Sequence, residues 1–409
     1  MSQQRKNTVT CKATLARDWG TEAAYVVLQQ PIPADLSRLS KGEDILKDEW
    51  RLLAREEKAL FDKGLGVTVA SDAVLLFNRW RAPGGMIDPS FTLLSRAGEI
   101  RMSEMFWLKQ LSGQGPFGRI QENPKRIDID FSFHPLLGWI EDPCFYLGTP
   151  HNWAEWLVNS AVNLIHLDYF PVLSNRRLVL GEVKPFHAEL LEALGFGPER
   201  WISLAPKETD YGTYSFSDLA VPIRPALKPA FAYLTRRLQE ALCPAPKSGP
   251  ERIYLTRAGM APRHRVFNEE EIADLLRHRG FEVVDPFGLS LKQTLELLGN
   301  ARIIVAPGGA GMGNFLLANP KAEIINLLPR YFSQKSIESD PHTHWSMTSL
   351  YPFLSRMQFV LGDYNQTEQR DYVERHRLSG FDIPFRYDPA ALDLALLQAE
   401  KMWRLQGAR

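Results

Sequence analysis

The sequence predicts an α/β protein of two domains, with helices packed on the faces of parallel sheets. Three observations lead there. The chain has 409 residues, more than one hydrophobic core usually serves. From about residue 148, short apolar runs alternate with helical stretches that carry their own caps, the pattern of successive βα units. Within 301–317, the run Ile303-Ile304-Val305 breaks at Pro307 into Gly308, Gly309, Gly311 and Gly313 before an apolar helix start. Strand, glycine turn and helix in that order bring backbone N–H groups and a helix N-terminus up to a negatively charged ligand.

Composition narrows the class. Hydrophobic content of 44% and charged content of 23% belong to an ordinary globular chain with ample core. Lys+Arg and Asp+Glu are both 48, so a net charge of zero gives no support to a nucleic-acid partner. Cys11, Cys144 and Cys243 lie far apart with no CxxC spacing, which indicates neither a disulfide framework nor a zinc site. The start Met-Ser-Gln-Gln-Arg-Lys lacks the apolar core of a signal peptide, and no run approaches the roughly 18 apolar residues of a membrane span. A cytoplasmic protein without a membrane span is expected, with peripheral membrane contact left open.

Taken in order, residues 1–60 form a weakly defined extension holding a strand at 23–28 and a polar-faced helix at 42–61. Short β-like runs follow between 67 and 107, notably 73–77. Arg126 to Phe133 alternates, with Ile127, Ile129 and Phe131 on one side and Asp128 and Asp130 on the other. Asp-x-Asp is a pattern for holding a metal diphosphate. A half-solvated strand face accounts for it without a ligand, and nothing phosphate-binding stands beside it.

From residue 148 the spacing predicts a helix over 152–167, a strand over 177–180, a helix over 186–194 closed by Gly195, and a strand over 201–204. A long connecting helix over 222–242 and the linker Cys243 to Pro250 place the domain boundary at about residue 244. The expected division is 1–244, then 245–385, then a terminal helix within 386–409.

The second half reads most cleanly. Strands are expected at 252–256, 281–284, 302–306 and 323–327. Asn268 with Glu271, and Ser290 with Gln293, read as caps of two intervening helices. Together these form a Rossmann-like half, followed by an amphipathic helix over 389–405.

Several motifs admit a ligand. The glycines do not fit G-x-G-x-x-G, and they follow the third strand of the unit, whereas the dinucleotide fingerprint follows the first. One tight turn explains one or two glycines but poorly explains four, so diphosphate contact is favoured. Arg252, Arg257, Arg263, His264 and Arg265 fall within 14 residues with no acidic residue between Glu251 and Glu269. Arg257 stands at a strand end, where open α/β sheets bind ligands. In His151-Asn152-Trp153-Ala154-Glu155-Trp156, His151 and Glu155 share a helix face beside tryptophans that suit a sugar ring. A helix start with core tryptophans fits equally. Asn268-Glu269 is sufficiently explained by helix capping, and Asp340-Pro-His342-Thr-His344 by an exposed loop rather than a metal site.

Five of these segments together resemble glycosyltransferase family 61. They are Ile253-Tyr-Leu-Thr-Arg257, Arg265-Val-Phe-Asn268-Glu269, Leu289-Ser-Leu, Ala306-Pro-Gly-Gly-Ala-Gly-Met-Gly-Asn314 and Ile325-Asn-Leu-Leu-Pro329. The resemblance covers about residues 250–330, more thinly 145–240, and suggests a member of the bacterial capsular-polysaccharide type. It implies two Rossmann-like domains facing a cleft (a GT-B-type architecture), with the terminal helix crossing back onto the first domain. It also implies an inverting, metal-independent transfer of sugar from a nucleotide-diphosphate donor, a UDP-sugar, to a glycan or other hydroxyl acceptor, without a cofactor. Three positions differ from the family pattern: Gly308 stands for a histidine, Glu155 for a histidine, and Asn326 for an acidic ribose partner.

The expected donor-binding residues are therefore Arg257, Arg265, Gly308, Gly309, Ala310, Gly311, Met312, Asn314 and Asn326. Glu155 is the expected base, with His151 and Asp168 in reserve. A nicotinamide-dependent oxidoreductase and a non-catalytic sugar-nucleotide or glycan binder stand as alternatives. The failed glycine spacing speaks against the first, and the missing histidines keep the second open.

Overall fold

A computed structural model describes residues 8–14, 25–30, 65–81, 87–94, 99–101, 126–130, 136–148, 152–204, 211–223, 227–243, 249–260, 264–319, 321–329, 357–364, 367–378 and 383–407. They fall into two compact units. The second takes the short segment Asn152–Val158 and everything from Leu227 onward; the first takes the strands before it.

The first unit is one sheet of eleven strands: β1 (Thr8–Thr14), β2 (Tyr25–Gln30), β3 (Leu65–Arg81), β4 (Ile87–Leu94), β5 (Glu99–Arg101), β6 (Arg126–Asp130), β7 (Leu136–Ile140), β8 (Cys144–Gly148), β9 (Arg177–Leu180), β10 (Trp201–Ser203) and β11 (Tyr211–Ile223). Their order is β10-β9-β8-β11-β3-β4-β5-β1-β6, with β2 on β3 and β7 on β11. Only part of this matches the parallel sheet expected. β8, β9 and β10 run parallel and β11 joins them in the same sense. β11 then pairs antiparallel with β3 along almost its whole length, so the sheet is mixed. The helix expected from Pro222 begins only at Leu227, because Pro222 still pairs with Val67 in that ladder. Ala73, Leu75, Cys144, Tyr146, Val179, Phe216, Leu219 and Val221 form the buried centre. Burial pushes the Cys144 thiol up to about 12, so this cysteine is a core residue and not a nucleophile.

The second unit is the parallel sheet that the sequence predicts. β12 (Arg252–Leu255), β13 (Glu282–Val284), β14 (Ile303–Pro307), β15 (Glu323–Pro329) and β16 (Met357–Gly362) lie in the order β13-β12-β14-β15-β16, all parallel. β14 and the first six residues of β15 are buried throughout, as strands covered on both faces must be. Helix Glu269–His278 joins β12 to β13, and helix Leu291–Gly299 joins β13 to β14. The latter carries the expected capping box: Gln293 N donates to Ser290 Oγ at 3.2 Å and Ser290 N to Gln293 Oε1 at 2.8 Å. Strand order reverses between β12 and β14, the point at which sheets of this kind open a crevice beyond their C-terminal ends.

The terminal helix, Pro389–Gly407, is part of the second unit. Leu392, Ala395, Leu396 and Ala399 enter the second unit's core beside Tyr254, Ile325 and Val360. Arg252 reaches Glu400 at 2.9 Å, which ties the helix to β12 and removes Arg252 from the candidate basic cluster. The stretch 42–61, the Asp340 to His344 loop, Arg263 and His151 lie outside the described residues.

Candidate functional site

The site is built where β12 and β14 end. β14 leaves the sheet through Pro307 and Gly308, whose N–H still pairs with Leu327 O at 2.8 Å. At Gly309 the backbone turns with φ +136°, a conformation that other residues adopt only under strain. A 3-10 helix, Ala310–Leu317, follows in place of the expected α-helix. Its first bond runs from Met312 N to Gly309 O at 2.9 Å, which leaves the N–H groups of Ala310 and Gly311 ahead of the helical ladder.

The four glycines have separate reasons. A Cβ on Gly308 would sit 2.5 Å from Leu328 Cδ2, and one on Gly313 would meet Trp153 Cδ1 at 3.0 Å and Ala154 Cα at 3.1 Å. Gly309 is required by its backbone angle. Only Gly311 faces open space. Tight packing thus accounts for more of the glycines than the sequence argument allowed, and the count of glycines no longer argues for a phosphate. The side chains around them do.

A Cβ on Gly309 would lie 2.8 Å from Arg265 Nη1 and 3.3 Å from Arg257 Nη1, so both guanidinium groups converge on this residue. Arg257 is the second residue after β12. Arg265 is one of two non-glycine residues with positive φ among the described residues, at +67°. That conformation is held from outside: Phe385 N donates to Arg265 O at 3.0 Å and Phe267 N to Phe385 O at 2.8 Å. From there Arg265 Nη1 donates to Gly308 O at 3.0 Å.

Asn268 does not cap its helix with its side chain. Its Oδ1 accepts from Tyr387 N at 3.0 Å and its Nδ2 donates to Tyr387 O at 2.8 Å, so it copies a strand partner and extends the clamp on Phe385. Capping was the local expectation; a segment 119 residues away in sequence took the side chain instead. Glu269, next in the chain, carries the network that sequence reasoning missed. Its Oε1 accepts from Tyr254 Oη at 2.8 Å and from Thr256 Oγ1. Burial raises its carboxyl above the usual glutamate range, with those bonds and Arg257 opposing the rise. The signal was available: Tyr254 and Thr256 alternate onto one face of β12, with an Asn-Glu helix start to follow.

Below the turn lie the more buried candidates. Met312 is 5% exposed and Asn314 8%. Asn314 Oδ1 accepts from Trp153 Nε1 at 2.7 Å. Asn326 is 0% exposed, with Nδ2 at 3.4 Å from Met312 Sδ, so it supports the turn from beneath.

The segment Asn152–Val158 is part of this same unit. Asn152 caps its first turn through Oδ1, which accepts from Glu155 N at 3.0 Å. Trp156 is wholly buried and offers no face for a sugar ring, whereas Trp153 is half-buried and meets Asn314 through its indole N–H and Gly313 through its Cδ1 edge. Beyond the first turn the helix is irregular, passing through π and 3-10 geometry over Trp156–Ser160 and Ala161–Leu164. Glu155 is half-buried beside Ala154, which lies against Gly313. Asp168, the reserve base, is exposed and lies in the first unit. No described helix is long and apolar enough to cross a membrane.

Two comparisons with known proteins bear on this geometry. Residues 133–325, just under half of the chain, match the family model described as Glycosyltransferase 61, which supports a glycosyltransferase activity. No curated protein matches the chain.

Proposed function

We propose that the second unit binds a nucleotide-diphosphate sugar, a UDP-sugar, and that the chain transfers its sugar to a glycan or other hydroxyl acceptor with inversion and without a metal. One observation carries the reading: two guanidinium groups converge on Gly309 at the strand-order reversal. Arginine forks match diphosphate oxygens with two parallel hydrogen bonds, and the N–H groups of Ala310 and Gly311 add donors on the same turn. Held there, the diphosphate leaves as a stabilised anion, and that charge stabilisation is the main demand of the reaction. Met312, Asn314 and Asn326 complete the donor site in this reading, the first two on the turn and Asn326 beneath it, where its Nδ2 lies 3.4 Å from Met312 Sδ.

The second demand is a base for the acceptor hydroxyl. Glu155 takes that role, because Trp153 and Ala154 fix its helical turn on the glycine segment. His151 and Asp168 are the substitutes. The biological setting we propose is cytoplasmic synthesis of a surface polysaccharide.

Thermal shift against UDP-, GDP- and CMP-sugars, free nucleotides and NAD(P), followed by donor hydrolysis and transfer assays, tests the reading. Stabilisation by a sugar nucleotide with turnover is expected. Stabilisation by NAD(P) alone sinks it, and binding without turnover on any acceptor replaces it with a non-catalytic binder. Glu155→Gln is expected to lower kcat by roughly 10²–10⁴-fold, the range of general-base catalysis, while the donor still binds. Unchanged turnover removes Glu155 from the role.

A further inference from the structure

We propose that Glu269 is a positioning residue for Arg257, setting the aim of its guanidinium group toward the donor diphosphate; the proposal rests on the donor reading above. Arg257 sits on a strand end between Thr256 and Ala258, so its aim depends on how rigidly those neighbours are held. Thr256 Oγ1 donates to Glu269 Oε1 and accepts from Ala258 N at 3.0 Å. Tyr254 Oη donates to the same carboxylate oxygen at 2.8 Å. A single oxygen of Glu269 therefore fixes the chain from 254 to 258, on both sides of Arg257.

The charge works in the same direction. Two cations converging on Gly309 repel one another, and a carboxylate beside Arg257 offsets that repulsion before any ligand arrives. Glu269 is itself immobilised, since the preceding Asn268 is clamped to Tyr387 and its own helix begins there. The carboxylate touches no reacting atom; it acts through Arg257.

The test is a double-mutant cycle on the full chain, read as the dissociation constant for UDP, GDP, CMP and inorganic pyrophosphate at fixed ionic strength. E269A is expected to weaken the best-bound diphosphate about tenfold, the scale of one charge-assisted contact. In an R257A background E269A is expected to add nothing, because the group it aims is gone. A merely structural role loosens the whole turn and costs the same in both backgrounds, and that additive result overturns the proposal. Should E269A fail to fold, T256V severs the same link with little change of volume and carries the cycle with the same two outcomes. Wild-type protein that binds no diphosphate in the panel overturns the donor reading and this proposal with it. Binding with an additive cycle overturns this proposal alone.

Discussion

In the first unit Arg176 is 8% exposed and meets both oxygens of Asp218 at 2.8 Å, with Cys144 O a third acceptor at 3.2 Å. In the second unit Arg257 and Arg265 are half-buried and converge on a glycine, with Arg265 bonded to a backbone carbonyl and the carboxylate of Glu269 engaged by two hydroxyls. The first arrangement is closed: charge meets charge in a bidentate fork and the strands around it are tied. The second gathers positive charge at a turn whose next residues offer N–H groups. Stabilising a fold and binding an anion call for opposite local chemistry, and the proposed donor site assigns the second role to the second region.

The largest expected effect lies in the second region. Arg265→Ala removes one guanidinium and is expected to weaken diphosphate binding by roughly 10–100-fold, as for a charge-assisted contact, measurable by calorimetric titration. Undiminished affinity breaks the comparison, because the convergence on Gly309 then serves packing alone. The matching substitution in the first region, Asp218→Ala, strands a buried cation. It is expected to lower unfolding stability by about 1–3 kcal/mol, less than a fully buried pair because Asp218 keeps 37% of its side-chain exposure. Denaturant titration reads that loss, and diphosphate affinity is expected to stay unchanged.

The smallest effect comes from pH. Burial, and then His376 nearby, lower the pKa of His264 beside Arg265. His264 also meets Tyr372, which packs on Phe267 and His376. The folded state holds this histidine neutral more firmly than the unfolded chain does. Its contribution to stability is present above about pH 6.5 and is lost as pH falls through the lowered folded value. His264→Gln is expected to flatten that part of the stability profile between pH 7 and 5. A mutant that follows the wild-type curve sets this residue aside.

Much of the second unit was legible because its signals are local. Apolar runs marked β12, β14 and β15 within a residue or two, and Ser290 with Gln293 announced a helix start by chemistry that spans four residues. The first unit was less legible, since β11 is parallel to one neighbour and antiparallel to the other, and no periodicity within a strand tells which partner it takes. The site itself divides the same way. Arg257 and Gly309 follow from a strand end and a turn. The departures all depend on distant partners: Asn268 bonded to Tyr387, Trp153 bonded to Asn314 across 161 residues, Arg265 forced into positive φ by Phe385.

The sequence by itself determined the repeating strand and helix units of the second half, the glycine turn, and the basic residues near it, because spacing, caps and backbone freedom act over a few residues. Tertiary structure decided that Asn152–Val158 joins the second unit, that three of the four glycines answer to neighbours or to a backbone angle, and that Glu269 binds Tyr254 and Thr256 on either side of β12's end. Those outcomes depend on which surfaces meet when the cores close, and a hydrogen bond to a residue more than a hundred positions away leaves no mark on the spacing around it.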